Sequence, residues 1–116
     1  MEPGPFAEMI GEYLSGITFV MDYLQLQFNP PLSLSIYTPT TVRCGEATAV
    51  FGEPAFANLL LAQIGKTVAA VNLAADEFLQ IRFEDGSTLA VSLRPEDYVG
   101  PEAVNIICRD HGVAVI

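Results

Sequence analysis

A chain of 116 residues has room for one compact domain, and its 51% hydrophobic and 16% charged residues exclude a disordered chain. Its net charge of −9, from 14 acidic and 5 basic residues, lacks the clustered basic residues that nucleic-acid binding requires. No apolar run approaches the roughly 18 residues of a membrane span, and the N-terminus has no basic leader region, so we expect a cytoplasmic protein.

The first predicted element is a helix over residues 6–14. Phe6, Met9, Ile10 and Tyr13 recur at helical spacing there, and a Ser-Gly pair follows at the exit. Alternating sequence after the helix predicts three strands, at residues 17–21, 23–28 and 32–37.

The second half of the chain predicts the same order of elements. A helix is expected over residues 54–64, with Pro54 in its first turn and Gly65 at its exit. Strands are then predicted at residues 68–73, 78–83 and 89–94, the last two joined by a turn that contains an Asp-Gly pair. A final hairpin is predicted over residues 102–116.

The two halves share a motif, LQLQF at residues 24–28 and LQIRF at residues 79–83. A duplicated α-β-β-β unit, over residues 5–39 and 54–95, explains this order. The alternative is that strand periodicity allows few patterns, so that unrelated hairpins look alike. The matching Gln25 and Gln80 favour duplication. We predict a single α+β domain, residues 1–116, with a mostly antiparallel sheet and two helices packed on one face.

Strand alternation divides the first hairpin into an apolar side and a polar side. The apolar side holds leucines, Ile36 and Phe28, and the polar side carries no charge at all. Its members are Tyr23, Gln25, Gln27, Ser33, Ser35 and Tyr37. A solvated sheet face usually carries Lys, Glu or Arg, so we predict that this side is an interface covered by a second copy of the chain. The alternative is a polar face in contact with water. The matching side of the second half carries Arg82 and Arg94, which favour contact with an anion.

The acidic balance suits a basic protein partner, although the same charge also serves simply to keep an apolar chain soluble. No cofactor is predicted, because the sequence has no glycine-rich phosphate loop. The carboxylates of the second half lack the spacing of a metal site and are expected to be solvated. Cys44 and Cys108 form no CxxC motif and are expected to be reduced thiols.

A catalytic pair of Cys108 and His111 is disfavoured. His111 falls in the turn of the last hairpin, and a separation of three residues along a strand places the two side chains on opposite sides. We therefore predict a protein without enzymatic activity.

The stretches DYLQLQF, DGSTLAVSL and GPEA resemble those of small uncharacterised bacterial α+β proteins, over roughly residues 20–110. Such acidic domains are similar to immunity proteins, which neutralise a toxin by binding it. The resemblance implies stoichiometric protein binding without catalysis, and it identifies no contact residue. A protein-interaction domain is the first functional prediction. The alternative is a small-molecule binding protein with its pocket between sheet and helices.

Overall fold

The computed structural model describes residues 4–110 and 112–116. Ten strands lie in these residues: β1 (Gly16–Val20), β2 (Tyr23–Gln27), β3 (Ser33–Ile36), β4 (Thr40–Cys44), β5 (Ala47–Val50), β6 (Val68–Ala74), β7 (Phe78–Phe83), β8 (Thr88–Ser92), β9 (Val104–Ile107) and β10 (Val113–Val115). The helical segments are a 3₁₀-helix at Gly4–Met9, the α-helix α1 at Phe56–Leu61, and a 3₁₀-turn at Pro95–Asp97.

The prediction of a mostly antiparallel α+β protein is confirmed. The strands form two five-stranded sheets, however, and not one. The first sheet has the order β1-β2-β3-β9-β10, and the second has the order β5-β4-β8-β7-β6. None of the helices in the described ranges is long and apolar enough to cross a membrane.

The apolar sides of the two sheets share one core. Leu24 and Leu26 of β2 and Leu79 and Ile81 of β7 are all 0% exposed and belong to a single buried cluster. Each alternates along its strand with outward residues that are only partly covered. The two motif strands therefore perform the same task in different sheets, each supplying every second side chain to the shared core.

The first predicted helix is too long. Only Gly4–Met9 is helical, as a 3₁₀-helix. Gly11 lies in a turn, and Tyr13 forms an isolated antiparallel bridge with Thr67. Gly11 has a φ of 87°, which ends the helix in the left-handed region. The backbone beyond it pairs with residues 65–68, and these long-range hydrogen bonds replace the helical ones.

The second predicted helix is also shorter than expected. Helix α1 spans Phe56–Leu61, and its buried residues are Phe56 and Leu60. Gly65, at φ 92°, closes the turn that follows. Both helical segments lie against strands of the second sheet, α1 against β4 and β5, and the first 3₁₀-helix against β6.

One hairpin was not predicted from the sequence. β4 and β5 pair in an antiparallel register across a turn at Gly45, which has a φ of 59°. The run TTVRC in β4 is rich in β-branched residues, which is the signal of a strand.

The two hairpins outside the repeated strands are exchanged between the halves. β4-β5 follows β3 along the chain but joins the second sheet, where β4 pairs with β8. β9-β10 follows β8 along the chain but joins the first sheet, where β9 pairs with β3. Each sheet therefore combines three consecutive strands of one half with the hairpin that follows the other half.

The pairing register of the two sheets matches except in the β6-β7 ladder, where a bulge lies between Val68 and Ala70. Leu26 lies opposite Leu34 in the first sheet, and Ile81 lies opposite Leu89 at the corresponding place in the second. The hairpins agree in the same way, with Ile106 opposite Leu34 and Val42 opposite Leu89. Gln25 and Gln80 thus occupy corresponding places on the outer surfaces.

Residues 11–14 and 65–68 run antiparallel and join the two halves at their midpoint. The N–H of Gly11 donates to the carbonyl of Val68 at 2.9 Å, and the N–H of Gly65 donates to the carbonyl of Leu14 at 2.7 Å. Two further bonds, from Leu14 to Lys66 and from Val68 to Glu12, have lengths of 3.0 and 2.8 Å. Each bond has a counterpart in which the two segments exchange roles, so the four bonds obey local two-fold symmetry.

This symmetry predicts matched effects of substitution at the two glycines. Gly11→Ala and Gly65→Ala each place a Cβ on a left-handed residue, and each should lower the free energy of unfolding by about 1–2 kcal/mol. Gly100→Ala is the control, because an added Cβ there meets nothing within 4 Å and its φ lies outside the left-handed region. Urea denaturation measures all three. A decrease in the free energy of unfolding for only one of the two glycine variants would show that the two segments do not contribute equally to stability.

The turn between β7 and β8 is tied to this midpoint by an ion pair. Lys66 Nζ lies 2.6 Å from Asp85 Oδ2, and the carboxylate also accepts the backbone N–H of Ser87 at 2.9 Å. The hydrogen bonds from Lys66 and from Ser87 lower the pKa of Asp85 from 3.8 to about 2. The charged form of Asp85 therefore stabilises the folded chain.

Because the folded pKa lies below the unfolded one, this stabilisation is present above pH 4 and is lost as the pH falls through 2. Asp85→Asn should be less stable than the parent chain at pH 6, by at most about 1 kcal/mol since the pair is partly exposed. The difference between the two chains should shrink between pH 4 and pH 2 in chemical denaturation. A difference that is unchanged at pH 2 would contradict this role of the charge.

Candidate functional site

The outward side chains of the first sheet form an uncharged surface, which we call the neutral face. Its residues are Gly16, Thr18, Val20, Tyr23, Gln25, Gln27, Ser33, Ser35, Tyr37, Asn105, Ile107, Val113 and Val115. All six residues predicted from the sequence are among them, and these six are partly buried. The structure therefore brings the predicted set together on one side of one sheet, and it adds residues from three further strands.

Two rows of side chains cross all five strands of this face. One runs Gly16, Gln27, Ser33, Ile107, Val113, and the next runs Thr18, Gln25, Ser35, Asn105, Val115. Gln25 Nε2 donates to Ser35 Oγ of the same row at 3.3 Å, and Gln27 Nε2 donates diagonally to Thr18 Oγ1 of the other row at 3.2 Å. These cross-strand bonds hold the two amides flat along the sheet, which leaves a surface of low relief.

The C-terminal hairpin contributes the apolar part of the neutral face. Ile107 is 42% exposed, Val113 is 63% exposed and Val115 is 53% exposed. The sequence predicts this hairpin. Its pairing with β3 was not predicted, because local pattern does not encode strand order. The alternation in VNII and VAV is the signal that could have identified these outward residues.

The corresponding surface of the second sheet is charged. Arg82 and Arg43 flank Thr88 in the row that corresponds to Gln27, Ser33 and Ile107. Arg94, which was predicted to share this surface, lies beyond the end of β8. An uncharged outer surface is therefore a property of the first sheet and not a consequence of the shared pairing pattern.

A cavity of about 400 Å³ opens at one end of the neutral face. Its walls are Tyr23 and Tyr37 from β2 and the end of β3, Asp22 from the β1-β2 turn, and the loop of residues 99–102. The two tyrosine rings lie 5.1 Å apart between centroids, with an angle of 37° between their planes. This cavity is at the end of the sheet, and its described lining includes no residue of α1.

A second cavity, of about 270 Å³, occupies the corresponding end of the second sheet. Phe78 and Ser92 stand there at the places of Tyr23 and Tyr37, and Glu77 stands at the place of Asp22. The two cavities thus share a position in the fold but differ in their side chains.

The two cysteines are free thiols in corresponding places, at the ends of β4 and β9. Cys108 is 4% exposed, and burial together with the nearby Glu8 carboxylate raises its pKa. A raised pKa is opposite to the thiolate that a nucleophile needs. Gln63 Nε2 lies 2.7 Å from Cys44 Sγ. His111, the residue considered as a base for Cys108, lies outside the described residues.

The carboxylates of the second half are not gathered into a cation site. No group of three or more His, Cys, Asp or Glu side chains in residues 4–110 and 112–116 has the arrangement of metal ligands. Asp85 is paired with Lys66, and Asp97 accepts a hydrogen bond from the Ser92 hydroxyl.

Comparison with protein-family models, curated proteins and solved structures finds no match for this chain.

Proposed function

We propose that the chain is a noncatalytic protein-interaction domain of the cytoplasm that forms a homodimer through the neutral face. The observation that supports this is the absence of charge across all five strands of one sheet, in a chain with a net charge of −9. Exposed sheet surfaces and edges are normally protected by charged side chains. Here that protection is missing over a continuous surface that includes exposed isoleucine and valine.

The charge distribution favours a second copy of the chain as the partner that covers the neutral face. Two molecules that each carry a charge of −9 repel one another over most orientations, because an ionic atmosphere screens only beyond about 8 Å at physiological salt. The neutral face is the surface through which two copies approach without burying a carboxylate. A basic partner, which the acidic balance of the chain suits, would instead bind the acidic surface elsewhere on the molecule.

The size of the neutral face sets the expected strength of the dimer. Five strands at about 4.8 Å spacing, with three to five residues each, give roughly 330 Å² per copy. Stable protein interfaces bury about 800 Å² per partner. We therefore expect a weak dimer whose population depends on protein concentration.

We also infer that the two halves arose by duplication of one unit, with the C-terminal hairpins exchanged. The matched registers, the reciprocal hydrogen bonds at the midpoint and the corresponding cysteines support this inference. The repeated unit in the structure is longer than the predicted α-β-β-β unit by one hairpin, and it consists of a helix followed by five strands. In this account the first sheet lost charge from its outer surface after duplication, or the second sheet gained it.

Small-molecule binding is a second candidate function, and the 400 Å³ cavity favours it. A volume of this size is within the range of ligand sites, about 300–1,000 Å³. The site would lie between the end of the first sheet and a loop, and not between sheet and helices.

A matched pair of variants tests the homodimer. Gln25→Glu places a carboxylate in the middle of the neutral face, where two copies would bring like charges together, and it should weaken the dimer at least about tenfold. Gln80→Glu makes the same change at the corresponding place on the second sheet. It gives the same net charge at a residue that also has a cross-strand amide partner. Gln80 Oε1 accepts a hydrogen bond from Asn72 Nδ2 there, which a carboxylate oxygen can still accept. Sedimentation velocity from about 5 to 500 μM measures the association of each chain.

The homodimer predicts a large effect of Gln25→Glu and little effect of Gln80→Glu. Equal weakening by both variants would mean that net charge alone governs association. A parent chain that remains monomeric at 500 μM would remove the proposal. Circular dichroism of both variants confirms that the comparison is made between folded chains.

A further inference from the structure

We propose that the cavity at the end of the first sheet binds a small organic cation with a methylated ammonium group. The proposal rests on the second candidate function and does not depend on the dimer. It follows from the combination of two tyrosine rings, two carboxylates and the absence of a lining cation among the described residues. The corresponding cavity of the second sheet also has two lining carboxylates, but it has one aromatic ring and a lining cation, Arg94.

The aromatic pair supplies a surface of negative potential. Tyr23 and Tyr37 lie next to each other at 5.1 Å, both partly buried, and both line the cavity. The faces of such rings attract cations, and methylated ammonium ions suit them because their charge is spread over apolar methyl groups. Within the described chain neither hydroxyl group makes a hydrogen bond, so both are available to a polar group of the ligand.

The two carboxylates add charge that nothing nearby neutralises. Asp22 and Glu102 both line the cavity, one on the β1-β2 turn and the other on the loop before β9. Neither makes an ion pair or hydrogen bond within residues 4–110 and 112–116, and the described lining includes neither Lys nor Arg. A bound monocation would therefore meet an uncompensated negative environment.

The second cavity differs from the first in its lining charges and in its number of aromatic rings. Its lining includes Arg94, so a cation is already present. The Asp97 carboxylate accepts the hydroxyl hydrogen of Ser92, and only one aromatic ring, Phe78, is available. The paired rings, and carboxylates without a lining cation, thus distinguish the first cavity from the second.

The shape of the first cavity favours an organic ion over a metal ion. Two carboxylates do not by themselves provide the six to eight oxygen ligands of calcium, and the described residues hold no metal-ligand cluster. A volume of about 400 Å³ accommodates a trimethylammonium group together with a short polar tail. Choline is therefore a suitable probe of this chemistry.

Isothermal titration with choline and with 3,3-dimethyl-1-butanol tests the proposal. The two probes have the same shape, but only choline carries a charge. We expect choline to bind with a dissociation constant on the order of 1 mM, and the neutral probe to bind at least about tenfold more weakly. Equal binding of the two probes, or no binding of choline at about 50 mM, would overturn the proposal.

Matched variants locate the binding site. Tyr23→Leu should weaken choline binding about three- to thirtyfold, and Asp22→Asn should weaken it severalfold without disturbing the core, because Asp22 is exposed on a turn. Phe78→Leu and Glu77→Gln make the corresponding changes at the second cavity and should leave choline affinity unchanged. If these control variants weakened choline binding as much as the variants at the first cavity do, the first cavity would not be the choline site.

The titration is repeated with Gln25→Glu, since Tyr23 and Tyr37 also belong to the neutral face. This variant carries its substitution outside the cavity lining and, if the homodimer exists, is shifted toward monomer. Choline binding that persists in it separates the cation site from the dimer. Loss of choline binding in this variant would show that the cavity is completed by a second copy, which contradicts an independent site.

Discussion

Alternation of side chains across two facing sheets is the constraint on which this structure depends. Leu24 and Leu26 in one sheet, and Leu79 and Ile81 in the other, are fully buried in one cluster. Each such side chain contributes about 1.5–3 kcal/mol through burial. A shift of one residue in either register would exchange the buried and outward sets. The core thereby determines which side chains remain outside, and in the first sheet those side chains carry no charge.

The exchanged hairpins make the two halves depend on each other. The first sheet lacks β9 and β10 unless the second half is folded, and the second sheet lacks β4 and β5 unless the first half is folded. The chain crosses from β3 to β4 in only a few residues, but from β8 to β9 it needs the longer segment that includes the 3₁₀-turn at Pro95–Asp97. That additional length carries the loop that walls the cavity beside Tyr23 and Tyr37. An asymmetry between two otherwise similar halves thus creates the candidate ligand site.

The alternation of apolar and polar residues predicts most of the strands correctly. The sequence-based prediction is wrong where long-range contacts determine the structure. The six repeated strands lie close to their predicted positions, because two-residue periodicity is a local signal. Residues 11–14 look helical in spacing, yet they pair with residues 65–68, a contact that no local pattern reveals. The polar residues around Gln25 were predicted to share one side, and they do. Ile107 and Val113 joined that side only through the exchanged hairpin, and the cavity depends on a loop that carries no local motif.

The central claim is that the neutral face, and not the charged outer surface of the second sheet, is where two copies meet. Two-dimensional amide NMR spectra over a concentration series test this claim residue by residue. If the neutral face is the dimer interface, we expect amide chemical-shift changes that grow with protein concentration and that map to β2, β3, β9 and β10. Shifts that map to β4, β7 and β8, or spectra that do not change up to about 1 mM, would contradict it.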